Sequence, residues 1–168
     1  MVFKNDNLTG LTKSLRFIIE ASVIAALYAA LTILFAPISY GMLQVRISEA
    51  LTVLPFFTPA AIPGLFIGCI ISNIIGGNGI YDIIFGSLAT LVAAILSYKI
   101  KKPYLVPLPP IIVNAIVVGF ILFYVLNMPL YATMVWVAIG ETIACYGLGY
   151  PLIKQLEKYK DKIFITKF

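Results

Sequence analysis

The chain has 168 residues, 61% of them hydrophobic and 11% charged, and a mean hydropathy of +1.03. A soluble globular domain carries roughly a quarter charged residues, so the composition excludes that class and points to an integral membrane protein. The net charge of +5 does not indicate nucleic-acid binding, because the basic residues sit in the tails and one loop instead of forming a basic face on a folded domain.

In chain order, residues 1–13 form a polar N-terminal segment too short to be a domain of its own. Residues 14–36 follow as an apolar run, long enough at roughly 1.5 Å per residue to cross a hydrocarbon core of about 30 Å. The run exceeds the roughly 7–15 residues of a signal-peptide core, and Pro37 falls where a small-residue cleavage site would lie, so it reads as a retained membrane helix. After the loop 37–43, a short helix is predicted over 47–57. A third is predicted over 60–75, set off by Pro59 and Pro63, since proline is tolerated in a first helical turn. Gly76-Gly77-Asn78-Gly79 is a turn. A fourth helix covers 80–98 and ends at Lys99-Ile100-Lys101-Lys102-Pro103, a break extended by Pro107, Pro109 and Pro110. The fifth covers 110–126. Asn127-Met128-Pro129 turns the chain into a sixth, which starts near 130, passes Pro151 and continues as an amphipathic helix toward 160. The expected architecture is therefore an all-α integral membrane protein. Its six transmembrane helices lie within residues 14–158, and a cytoplasmic tail covers 159–168. Segments two and three are short and fit either two crossings or one hairpin of half-helices. Both choices preserve the parity of the chain.

Six crossings place both termini on one side. Lys4, Lys13, Arg16, Lys99, Lys101, Lys102, Lys154, Lys158, Lys160, Lys162 and Lys167 then share a face, which the positive-inside rule assigns to the cytoplasm. A five-helix model would put the C-terminal lysines outside. The one basic residue left on the external side is Arg46.

Charged and amide side chains at membrane depth cost several kcal/mol, so those present are the candidates for binding a polar solute. Arg46 and Glu49 lie three apart on one helical face. Asn73 and Asp82 fall near the outer ends of segments three and four, Asn114 lies on segment five, and Glu141 lies near mid-membrane on segment six. Each has a structural reading as well: an interfacial Arg46–Glu49 ion pair, a helix-capping role for Asp82, and interhelical hydrogen bonds for Asn73 and Asn114. Glu141 has no basic residue near it in sequence. Glu20 lies one turn from Arg16 and suits a pair near the cytoplasmic surface. Ala21, Ala25 and Ala29 recur every four residues, with Ala26 and Ala30 alongside. Such a strip suits close packing, either within the bundle or against a partner helix.

The sequence contains no histidine, which excludes a catalytic triad and a histidine-bearing metal site. Cys69 and Cys145 lie in apolar stretches and read as buried thiols. The phosphate-loop pattern GxxxxGK[ST] is absent, so the chain cannot itself draw on ATP by the usual route; no cofactor is expected, and if the chain pumps, its energy source is a partner or an ion gradient.

Three blocks carry a resemblance: Gln44-Val45-Arg46-Ile47-Ser48-Glu49-Ala50-Leu51-Thr52-Val53-Leu54-Pro55, Ala61-Ile62-Pro63-Gly64-Leu65-Phe66-Ile67-Gly68-Cys69, and Asp82-Ile83-Ile84-Phe85-Gly86-Ser87-Leu88-Ala89-Thr90-Leu91. Together with the alanine strip they resemble the QueT family of queuosine-precursor transporters, the substrate-binding S components of energy-coupling factor (ECF) transporters. The resemblance runs from about residue 15 to 152. It implies a protein that binds a 7-deazaguanine such as prequeuosine, bearing a 7-aminomethyl or 7-cyano group, from outside. It also implies docking through Ala21, Ala25 and Ala29 on a transmembrane coupling subunit served by two cytoplasmic ATPase subunits, followed by toppling in the bilayer. Gln44, Arg46, Glu49, Asn73, Asp82, Asn114, Trp136 and Glu141 are the expected substrate-binding residues. Glu141 is expected to read the guanine edge, and Trp136, Tyr40 or Tyr81 to stack on the ring. The competing functions are an S component for another vitamin or nucleobase, a self-sufficient ion-coupled carrier, and an intramembrane enzyme using carboxylate or serine chemistry.

Overall fold

Backbone groups in a bilayer must be hydrogen-bonded within their own segment, so long apolar runs become helices. The computed structural model describes residues 6–40 and 45–163. Among them α1 (Asp6–Leu34) leads into the single turn α2 (Ala36–Ser39), and a 3-10 helix (Ile47–Phe56) follows. Next come α3 (Ala61–Gly76), a π-helical segment (Asp82–Gly86) running into α4 (Ser87–Lys99), and a 3-10 turn (Pro103–Leu105). The chain continues through α5 (Leu108–Leu126) and α6 (Leu130–Thr142), then a second π segment (Ile143–Gly149) and α7 (Tyr150–Ile163).

Among the described residues, four helical stretches are long and apolar enough to cross a membrane: Lys13–Leu34, Asp82–Lys99, Pro103–Val125 and Leu130–Tyr159. The helices Ile47–Phe56 and Ala61–Gly76 are apolar but shorter. At roughly 2.0 Å per residue for a 3-10 helix and 1.5 Å for an α-helix, both fall short of the roughly 30 Å core. The second predicted helix is thus a 3-10 helix, with Pro55 inside it. The sixth is not uniformly α-helical, because it widens into a π segment after Thr142.

Polar side chains are enclosed among the apolar core residues, and many large apolar side chains face outward. Thr32, Ser48, Glu49, Thr52 and Asn73 are fully buried, whereas Ile18, Val23, Ile75, Leu88, Phe120 and Tyr131 are exposed. A lipid environment favours this arrangement, since ionisable groups there turn toward the bundle interior.

Helix α1 packs closely on α3. Gly64 and Gly68 remove the Cβ atoms that would separate them. A Cβ at Gly64 would lie 2.7 Å from the Ala21 carbonyl oxygen, and one at Gly68 would lie 2.8 Å from that of Ala25. Ala21, Ala25 and Ala29 are therefore buried, at 8, 5 and 6% exposure. This corrects the expectation that they present a docking strip, because the protein's own α3 packs against Ala21 and Ala25 and Ala29 is buried as well. Ser22, Ala26 and Ala30 are small residues that α1 leaves exposed, four apart along one face. Gly68→Ala is expected to force the two backbones apart and lower the thermal midpoint by several degrees, at a cost of about 1–3 kcal/mol, as measured by a thermal-shift assay in detergent.

Candidate functional site

Four segments converge on one polar cluster. The 3-10 helix begins at Ile47, which sets Arg46 at its N-cap and Glu49 in its first turn. Both side chains are buried, at 4 and 0% exposure. The π segment at the start of α4 sets Asp82 against them, α5 supplies Asn114, and α6 supplies Glu141 just before its own π segment. Asp82, Asn114 and Glu141 are buried as well. A π turn widens the helix by one residue and so re-aims neighbouring side chains, and such turns are frequent at functional sites.

The two glutamates differ in what holds them. Glu141 Oε1 accepts from Asn114 Nδ2 at 2.9 Å, and Oε2 accepts from the Cys145 thiol at 3.6 Å. The same thiol reaches the Glu49 carbonyl at 3.6 Å. Glu49 Oε1 accepts a hydrogen bond from the Tyr28 hydroxyl, whereas Oε2 is buried without a partner. The neighbouring Thr32 hydroxyl accounts for itself on Tyr28 O at 2.8 Å and Ser48 Oγ at 2.6 Å. Also buried without hydrogen-bond partners are Arg46 Nε and Nη2, Asp82 Oδ1 and Asn114 Oδ1. Buried polar groups are almost always satisfied, and each exception needs an explanation. These five atoms lie in three segments, the 3-10 helix with its cap, the start of α4 and α5, that meet at one place. The Arg46 guanidinium, cationic in any protein, is within electrostatic reach of Glu49, Asp82 and Tyr28, and the Asn114 amide faces Glu49 as well as Glu141.

Tyr40 closes one end. Its hydroxyl donates to the Ser72 carbonyl at 2.7 Å, and the Arg46 guanidinium lies 5.8 Å from its ring centre, in cation–π range. Burial raises its phenol above the ordinary value, with Arg46 opposing, so the hydroxyl remains a donor at neutral pH.

The structure sorts the predicted residues. Arg46, Glu49, Asp82, Asn114 and Glu141 come together. Asn73 lies beside them but is engaged: Nδ2 donates to the Asp82 carbonyl at 3.0 Å, and Oδ1 accepts from Asn78 at 3.3 Å. It ties α3 to the start of α4. Trp136 does not join the cluster. It lies on the outward side of α6 at 45% exposure, which corrects its expected stacking role. Tyr81 is also exposed and packs on Phe85 and Tyr124, leaving Tyr40 as the one ring of the three expected that lies at the site. Gln44 lies outside the described residues. Tyr28 and Cys145, which hold the two glutamates, had no signal in the sequence beyond a phenol and a thiol within apolar runs.

Residues 18–158 match the family model described as QueT transporter. The chain belongs to the QueT transporter family. A curated relative, "Queuosine precursor transporter QueT" of Lactococcus lactis subsp. cremoris (strain MG1363), is 38% identical over 93 residues, which is 52% of this chain and 54% of the relative. The match thus spans about half the length of that relative. No solved structure matches the chain. QueT proteins are transporters and not enzymes, and the long apolar helices fit a multi-pass protein of the cell membrane. The polar cluster, enclosed by those helices, is the candidate solute site of this QueT family member.

Proposed function

We propose that the chain is the substrate-binding S component of an ECF transporter for a queuosine precursor of the 7-deazaguanine type. The observation that carries this reading is the set of five unpartnered buried polar atoms. They comprise three acceptors (Glu49 Oε2, Asp82 Oδ1, Asn114 Oδ1) and two donors on Arg46. A 7-deazaguanine complements that set. Its N1–H and exocyclic amine form a double donor for Glu49 Oε2 and Asn114 Oδ1, and its carbonyl accepts from Arg46. With both its oxygens held by Asn114 and Cys145, Glu141 positions Asn114 in this scheme, and Glu49 takes over the role of reading the guanine edge.

Three acids face one arginine in the cluster, so a solute bearing a positive charge would leave fewer buried charges unpaired. The 7-aminomethyl group supplies that charge and Asp82 its partner. The relative's name supports a queuosine precursor as the solute class. In the proposed transport cycle the chain's four long helices cross the bilayer and the two short ones go in and back as a pair, which leaves both termini cytoplasmic. Its exposed α1 face, with Ser22, Ala26 and Ala30, docks on the coupling subunit. ATP is used only by the two partner ATPases.

Isothermal titration of the purified protein with 7-aminomethyl-7-deazaguanine, 7-cyano-7-deazaguanine, guanine and riboflavin tests the reading. Tight binding of the deazaguanines alone is expected, and comparable binding of riboflavin would refute it. Asp82→Asn is expected to weaken the aminomethyl ligand by roughly tenfold or more while changing the cyano ligand little.

A further inference from the structure

A groove of about 460 Å³ runs along the outer side of α1, away from the polar cluster, between α1, the 3-10 helix and α7. Its walls are Ile19, Val23, Leu27, Leu51, Leu152 and Leu156. Arg16 stands at one end, with Lys13 three residues before it on the same helical face. Both basic side chains are exposed. Glu20, the one acid lining the groove, has its Oε1 buried. From Arg16 to Leu27 the helix rises about 16 Å, close to the roughly 15 Å depth of one leaflet of the hydrocarbon core. We infer that this groove seats one acyl chain of an anionic phospholipid whose phosphate is held by Lys13 and Arg16. The apolar walls match the chain, the basic pair at the span's end matches a headgroup phosphate in sign and level, and arginine binds phosphate oxygens through a two-pronged fork. Juxtamembrane basic residues attract anionic lipid, while a zwitterionic headgroup offers no net charge to hold.

Native mass spectrometry of the full-length protein, titrated with phosphatidylglycerol or phosphatidylcholine of identical acyl chains, tests the site. Retention of one phosphatidylglycerol roughly thirtyfold better than phosphatidylcholine is expected, the scale of two basic side chains near the membrane surface. The double variant Lys13→Gln, Arg16→Gln is expected to erase that preference, and Val23→Trp, which fills the groove, to lose both lipids. Equal retention of the two lipids by the unaltered protein, or phosphatidylglycerol retention unchanged in the double variant, would overturn the inference. Retention of neither lipid would also overturn it. If Val23→Trp fails to fold, the charge variant on the exposed end of the helix decides alone.

Discussion

Glu49→Gln is expected to weaken 7-deazaguanine binding by about 2–5 kcal/mol, roughly thirtyfold to several-thousandfold. The substitution keeps the shape of the side chain, and its amide oxygen can still accept from Tyr28. What changes is Oε2, the acceptor without a partner inside the protein. It becomes an N–H donor that meets the donor edge of the solute and leaves a buried polar group mispaired. Thermal stability in the absence of solute should fall much less than affinity, because the oxygen that ties Glu49 to α1 is preserved. Tyr28→Phe should show the complementary pattern. It removes the group that orients the carboxylate, so affinity falls by a smaller factor while both carboxylate oxygens remain. Isothermal titration of the two variants beside Trp136→Phe, which should bind as the unaltered protein does, checks the assignment. Unchanged affinity in Glu49→Gln would remove Glu49 from the site.

Ala25→Trp and Ala26→Trp should part sharply although they are adjacent in sequence. Ala25 is 5% exposed, and its carbonyl lies where a Cβ on Gly68 would be only 2.8 Å away. An indole has no space there, and overpacking a close helix contact costs about 1–3 kcal/mol or more. The expected result is loss of folded protein in size-exclusion chromatography. Ala26 faces outward, so Ala26→Trp should fold and bind solute normally while losing co-purification with the coupling subunit. Normal folding of Ala25→Trp would show that the α1–α3 contact is looser than the glycines indicate. Intact co-purification of Ala26→Trp would move the docking surface off this face of α1.

Much of the site was legible in the sequence because charge at membrane depth is rare and expensive. Arg46, Glu49, Asp82, Asn114 and Glu141 stand out against their apolar surroundings without any knowledge of the fold. Trp136 misled because an aromatic ring serves equally well at a solute and at the lipid boundary, and only its place on the helix face decides between them. The alanine strip misled for a related reason. Small residues every four positions indicate close approach but not whose backbone approaches. Gly64 and Gly68 on α3 carry the matching spacing, and that correspondence becomes visible only once the two helices are side by side. Asn73 has the same ambiguity: an amide can bind a solute or tie two helices, and its bonds to Asp82 and Asn78 commit it to the second role.

Composition and hydropathy by themselves determined that the chain is an all-helical membrane protein, where most of its helices begin and end, and which ionisable residues had to be enclosed. These are local consequences of the cost of exposing backbone and charge to lipid. Tertiary structure alone decided which oxygen of which carboxylate is already satisfied and which residues α1 hides. It also decided that the second segment winds as a 3-10 helix and that π turns precede α4 and follow Glu141. Those outcomes depend on contacts between segments far apart in the chain, such as Tyr28 with Glu49 and Asn114 with Glu141. Hydrogen-bond satisfaction is a property of the assembled interior, which no single helix carries in its own sequence.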